Sequence, residues 1–119
     1  MISRLWIAIF LLILGGDEKL HANANANQHC GIASWYALSS MTASGEQMNP
    51  SAMTAAHPEL AFDTRVRVTN NKNGRSVIVR INDRGPFTKG RIIDLSRAAA
   101  VKLGYMQSGH TLVCIELIG

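Results

Sequence analysis

Two runs with a period of two, separated by a short turn, constrain this chain more than any other feature. Arg65-Val66-Arg67-Val68-Thr69 alternates strictly, and Ser76 to Ile81 does so again with Val77, Val79 and Ile81 in phase. Successive side chains on a strand point to opposite faces, so each run puts its apolar residues on one side. Between them Asn70-Asn71-Lys72-Asn73-Gly74 contains an Asn-Gly pair, the commonest signal for a tight reversal. The stretch reads as a β-hairpin with one half-buried face. Its second strand runs into Asn82-Asp83-Arg84-Gly85-Pro86-Phe87, where glycine opens unusual backbone angles and proline fixes φ and removes a donor. That loop should be stiff, and Asp83 at its mouth is the first candidate working group.

The other elements are short. Gly31 to Ala37 reads as the first strand, with Trp35 and Tyr36 offering large area to bury or to stack. Thr42-Ala43-Ser44-Gly45-Glu46 is a turn of small and polar residues, and Met48 to Ala56 is loop-rich, leading to His57 before Pro58. Arg91 to Leu95 is a short strand. Ser96 then stands as a helix N-cap, Arg97 to Leu103 as an alanine-rich helix and Gly104 as its stop. Thr111 to Ile118 closes the domain as a last strand, with Val113, Ile115 and Leu117 on one face and Cys114 and Glu116 on the other. The class is mainly β with one short helix. Pattern alone leaves a small barrel and a sandwich both open.

The first 26 residues read as a removable leader. Arg4 precedes the apolar run Leu5 to Leu14, and Ala22-Asn23-Ala24 and Ala24-Asn25-Ala26 both offer a small-x-small cleavage site. Ten apolar residues are too few to cross a bilayer, which takes about 20; an uncleaved anchor or a buried helix is the competing reading. Cleavage leaves one domain over 27–119, expected to be monomeric, without a stable membrane anchor, and secreted, periplasmic or wall-associated.

Removing Arg4 and Lys19 from 12 basic residues leaves ten, and removing Asp17 and Glu18 from eight acidic ones leaves six, so the net charge of +4 stays in the domain. All ten basic residues lie between Arg65 and Lys102. For an exported protein this suits an anionic wall polymer or membrane surface before nucleic acid, although a solvated charged surface reads equally well. Cys30 and Cys114 stand near the two ends of the domain and can pair in an oxidising compartment. Asn27-Gln28-His29 before Cys30 lacks the small apolar pattern that precedes an acylated cysteine. No ligand cluster with metal spacing is present, so neither metal nor other cofactor is expected.

Taken in order, Gly31-Ile32-Ala33-Ser34-Trp35-Tyr36, Thr42 to Glu46, Thr54-Ala55-Ala56-His57, Val66 to Asn70, Asn73-Gly74-Arg75, Asp83-Arg84-Gly85-Pro86-Phe87 and Gly90 to Ser96 resemble the signature of the rare lipoprotein A family. The resemblance implies a six-stranded double-psi β-barrel, a fold shared with expansins and barwin-like proteins. It also implies an exported lytic transglycosylase acting on the glycan strands of peptidoglycan. One departure stands at Leu60-Ala61-Phe62-Asp63-Thr64, where the family usually has Leu-Pro-Phe-Gly-Thr; aspartate tolerates turn backbone, so local adjustment is expected. The stretch between Tyr36 and Thr42 is also shorter than in many members. The lipid-attachment signal and the repeat domain of larger members are not expected, which would make this a minimal catalytic-domain version.

A lytic transglycosylase breaks the MurNAc-GlcNAc bond without water, because the muramoyl C6 hydroxyl attacks its own anomeric carbon and leaves a 1,6-anhydro end. One carboxyl group can act first as acid and then as base. On its residues alone Asp83 reads first as a carboxylate capping a turn; the resemblance makes it the acid/base. Arg84 should then point away from it or bind the lactyl carboxylate of the substrate. The resemblance places Glu46 and His57 beside it as the second and third catalytic positions, His57 through a hydrogen bond to Asp83. A turn carboxylate and a structural histidine remain the alternatives. Trp35 and Tyr36 are substrate-stacking candidates, with core packing expected of at least one. Rival functions are a non-catalytic, expansin-like wall-binding module and a binding partner of a larger wall enzyme.

Overall fold

The computed structural model describes residues 28–119, so the expected leader lies outside the described residues. Six strands are formed: β1 (Gln28–Tyr36), β2 (Thr54–Ala56), β3 (Arg65–Asn70), β4 (Ser76–Asp83), β5 (Arg91–Ser96) and β6 (His110–Leu117), with one helix, α1 (Arg97–Leu103), between β5 and β6. They close in the order β1-β5-β2-β4-β3-β6. The pairs β1/β5 and β2/β4 are parallel and the others antiparallel. Every strand has a neighbour on both sides, so no edge is left open; this decides for the double-psi barrel over a sandwich.

The alternating runs account for the wall of that barrel. Val66 and Val68 on β3 are fully buried, as are Val79 and Ile81 on β4, while Arg65 and Arg67 face water. The hairpin register sets Val66 opposite Val79 and Val68 opposite Val77, so its apolar side chains meet across the pair and inside the barrel. Ala33, Ile93, Leu95 and Val113 complete the interior from β1, β5 and β6, with Leu103 and Tyr105 packing in from α1 and the turn after it.

Two expectations are corrected. Thr54–Ala56, read as loop, is a strand buried at all three positions and paired on both sides. Its residues are too small to produce an apolar period, so its strand character comes from its neighbours. The last strand runs from His110 to Leu117, one residue earlier at each end than expected; Thr111, Val113 and Ile115 are its buried set, and Leu117, on the same face, is 54% exposed near the chain end.

Helix α1 is bounded as its sequence requires. Ser96 Oγ accepts from the Ala99 amide at 3.3 Å and donates to the Ala52 carbonyl at 2.6 Å. Gly104 takes a left-handed φ of 83° and donates to the carbonyls of Ala100 and Val101. The hairpin turn then reaches over this end: Asn70 and Asn73 both donate to Leu103 O, at 2.9 and 2.8 Å. A Cβ at position 104 would lie 2.9 Å from Asn73 Nδ2, which together with the positive φ restricts the site to glycine. Because Ser96 is wholly buried, Ser96→Ala removes a cap and strands the Ala52 carbonyl. An unfolding free energy lower by about 2 kcal/mol is expected, read by urea denaturation with an unchanged slope.

Candidate active site

Three segments of chain meet at the Asp83 carboxylate. Asp83 is the last residue of β4, and its Oδ1 accepts from the amides of Ala43 (2.8 Å) and Arg84 (2.9 Å). Tyr36, the last residue of β1, donates its hydroxyl to Oδ2 at 3.0 Å. The two oxygens are therefore inequivalent. Oδ1 faces fixed amide donors, whereas Oδ2 faces a hydroxyl that can rotate to donate or accept. A proton carried by Asp83 must sit on Oδ2. Burial, followed by the bond to Asp83, pushes the Tyr36 phenol well above its ordinary pKa, so it remains a neutral O–H.

Strand register extends the site. Asp83 is paired with Ala56, Ala56 with Asp94, and Asp94 with Ser34, in one row across β4, β2, β5 and β1. Asp94 accepts from Ser34 Oγ and from Arg91 Nη2, the latter at 2.6 Å. The sequence assigns Asp94 no role within its motif and offers Tyr36 as a stacking residue, not as a donor to Asp83. Both lie in parallel-paired strands, and only the register between strands distant in sequence reveals the neighbourhood.

Glu46 is held, not free. Its Oε1 accepts from Arg80 Nη2 at 2.8 Å and Asn82 Nδ2 at 2.5 Å, and its Oε2 accepts from Arg80 Nη1 at 3.2 Å. The Arg80 guanidinium, then the Asn82 amide, holds the Glu46 carboxyl below the usual glutamate range. A carboxylate so fixed is unsuited to donating a proton. It instead anchors the Thr42–Glu46 turn, whose Ala43 amide grips Asp83; the Ser44 amide bonds to Asn82 O at 3.2 Å in the same anchor. The lowered value means that Glu46 stabilises the fold at neutral pH, and that this contribution disappears as pH falls below the ordinary 4.5. Its side chain is 40% exposed, so screening limits the gain. Glu46→Gln should lose under about 1 kcal/mol at pH 7, and the gap to the parent protein should close in acid, as read by chemical denaturation at several pH values.

His57 differs from expectation. Its Nδ1 accepts from the amides of Glu59 and Leu60, both at 3.1 Å, so it caps the turn begun by Pro58, and the proton is placed on Nε2 by that pairing. Only its backbone amide reaches Asp83, donating to the main-chain oxygen at 3.1 Å. Burial lowers its pKa, which leaves it neutral. The ring lines a cavity of about 560 Å³ together with Leu60, Arg91 and Ile92. Asp83, Glu46 and Tyr36 do not line that cavity; the convergent hydrogen bonds, not this hollow, mark the site.

Arg84 turns away from the carboxylate that its own amide holds. Its Nη1 donates to His57 O (3.1 Å) and Leu60 O (2.8 Å), and its guanidinium lies 4.1 Å from the centre of the Phe62 ring. It braces the 57–62 loop, which is the first of its two expected placements, turned away from Asp83 or set to bind substrate. Trp35 likewise packs on the core and donates from Nε1 to Met106 O at 2.9 Å. The Leu60–Thr64 departure is accommodated as expected: Asp63 adopts a φ of 71° and accepts from Arg80 Nη1 at 3.0 Å. Among the described residues no group of three His, Cys, Asp or Glu side chains is placed to hold a metal.

The strands close into a six-stranded double-psi barrel with Asp83 at the end of β4. The family model described as lytic transglycolase matches residues 28–115, and the chain belongs to that family. It is 61% identical over 94 residues to the probable endolytic peptidoglycan transglycosylase RlpA of Nostoc sp., covering 75% of this chain and 25% of the relative. It is 48% identical over 121 residues to the endolytic peptidoglycan transglycosylase RlpA of Neisseria meningitidis (85% and 51%). With the protein of that name from Pseudomonas aeruginosa it shares 52% over 107 residues (87% and 31%). The chain thus spans a quarter to a half of the length of these relatives. Among solved structures, Streptomyces papain inhibitor aligns with TM-score 0.67 at 22% identity, covering 79% of this chain and 96% of the inhibitor. A Clavibacter michiganensis expansin aligns at 0.58 and 22%, covering 77% and 50%. At that identity both likenesses concern the fold.

Proposed function

We propose that this chain is an endolytic peptidoglycan lytic transglycosylase that works outside the cytoplasm, exported by residues 1–26, with Asp83 as its acid/base. The observation that carries the reading is the inequivalence of the two Asp83 oxygens. Held by two amides on Oδ1, the carboxyl presents Oδ2 alone for proton traffic, which one group serving as acid and then base requires. Oδ2–H protonates the glycosidic oxygen between MurNAc and GlcNAc as the bond from that oxygen to the muramoyl anomeric carbon breaks. The C6 hydroxyl of the same muramoyl residue attacks that carbon, and Oδ2 takes the hydroxyl proton. One C–O bond is broken and one formed, no water enters, and the aspartic acid is regenerated. The Tyr36 hydroxyl follows the proton by rotating between donor to the carboxylate and acceptor from the acid.

The other assigned residues act through Asp83. Glu46, clamped by Arg80 and Asn82, fixes the turn that supplies the Ala43 amide, and His57 supports the backbone of β4 while offering Nε2–H to the neighbouring cavity. The names of the relatives and the family match support this activity, and wall glycan implies an extracytoplasmic site of action. Digestion of purified sacculi with the protein, followed by mass spectrometry, should reveal 1,6-anhydromuramoyl ends. Sacculi bound but left uncut would point to a non-catalytic, expansin-like wall-binding module.

A further inference from the structure

The three most exposed large apolar side chains of the described residues are Phe87, Met41 and Leu38, at 82%, 67% and 60%. Single exposed apolar residues are ordinary, but these three are not scattered. Leu38 follows two residues after Tyr36, which donates to Asp83 Oδ2. Met41 precedes by two residues Ala43, which donates to Oδ1. Phe87 ends the Asp83-Arg84-Gly85-Pro86-Phe87 loop itself. Each of the three segments that converge on the carboxylate therefore carries one bare apolar group within four residues of its contact with Asp83 or of Asp83 itself.

The nearby cations point the same way. Arg80 is paired with Glu46 and Asp63, and Arg91 with Asp94, while Arg84 is bonded to two carbonyls. The arginines of β4 and β5 and the Arg84 side chain are thus engaged within the protein, and Lys89, two residues beyond Phe87, is the exposed cation nearest to it in the chain. What these three segments add is exposed apolar surface, and exposed apolar groups gathered at a site mark a binding contact.

We propose that Phe87 is a platform on which a sugar ring of the glycan strand stacks beside the bond that Asp83 acts on, with Met41 and Leu38 contacting its acetamido methyl groups. The inference rests on the transglycosylase reading above and adds the way the strand is held. An aromatic face carries partial negative charge and attracts the outward C–H groups of a pyranose, and the flexible thioether of Met41 adapts to a methyl partner. The loop suits the task. Gly85 at a φ of 110° and the fixed φ of Pro86 leave it little freedom. The ring also lies along the loop, 3.8 Å from where a Cβ on Gly85 would be. A stiff support lowers the entropy lost when the ring is covered.

The test uses peptide-stripped glycan strands and the Asp83→Asn protein, which holds strands without cutting them. Adding Phe87→Ala should weaken binding about tenfold, the scale of one aromatic contact, and adding Phe87→Trp should restore it. Raising salt to about 0.5 M should leave the Phe87-dependent part of the affinity in place, since stacking is not screened. Phe87 is exposed, so the variants should melt with the parent. Equal binding by the alanine variant, or binding that salt abolishes, overturns the platform and leaves the rim to a protein partner or the grip to charge. The two readings separate cleanly. Absence of anhydro ends from the unsubstituted protein, with Phe87-dependent binding intact, refutes the transglycosylase and keeps the platform.

Discussion

Asp83→Asn should release 1,6-anhydromuramoyl ends from sacculi at least about 100-fold more slowly than the parent protein, the lower end of what a positioned acid/base contributes. The substitution is close to a pure test. Asparagine keeps an oxygen where Oδ1 now accepts from the Ala43 and Arg84 amides, and its amide nitrogen, placed at Oδ2, can donate to the Tyr36 hydroxyl, which rotates to accept. The three converging segments stay tied together, so the melting temperature should hold within a few degrees. Only the ability to give and take a proton is lost. Equal yields from the two proteins would remove Asp83 from the chemistry. A loss of activity matched by a loss of folding would point instead to the carboxylate as a structural staple.

The fold was largely legible because its wall is made of residues whose period is local. Arg65 to Ile81 declared a hairpin by alternation and an Asn-Gly turn, and Ser96 and Gly104 declared the ends of α1 by capping chemistry. Thr54–Ala56 stayed hidden because three small residues carry no period, and what makes them a strand is partners contributed from β4 and β5. The choice of barrel over sandwich was beyond local pattern for the same reason: closure depends on parallel pairings between strands far apart in the chain.

The site was legible as a set of residue types and less so as a set of contacts. The sequence offers Asp83, Glu46 and His57 alike, yet only the Asp83 carboxylate has neutral donors alone, two amides and a hydroxyl that can rotate. Glu46 has Arg80 and Asn82 on it, and both lie on β4, the strand that Asp83 ends. His57 has the two amides that follow its Pro58 turn. A side chain's nearest competitor for a hydrogen bond is often the backbone beside it, and sequence spacing does not show which competitor wins. The expected danger from Arg84, a cation beside the acid, dissolves for a similar reason. The carbonyls of His57 and Leu60 and the Phe62 ring draw its guanidinium to the other side of the loop.

Loss of the Cys30–Cys114 bond should destabilise the domain by about 4.5 kcal/mol in the chain-entropy account. The two cysteines are 84 residues apart, bonded Sγ to Sγ at 2.02 Å, and directly opposite one another in the β1/β6 register. The bridge therefore joins the first and last strands of the barrel and encloses nearly all of the core. Domains of this size are typically stable by only about 5–15 kcal/mol, so the loss is a large share of the total. Cys30→Ser/Cys114→Ser, or reduction of the parent protein, should lower the melting temperature by roughly 20 °C or more. A shift of only a few degrees would show that the bridge restrains the unfolded chain little, or that the closed barrel holds itself together without it. Cys30 lies on the exposed part of β1, which leaves the bond open to reductant. A domain that leans this heavily on a reachable disulfide keeps its full stability only in an oxidising compartment, which is where a transglycosylase acting on wall glycan has to work.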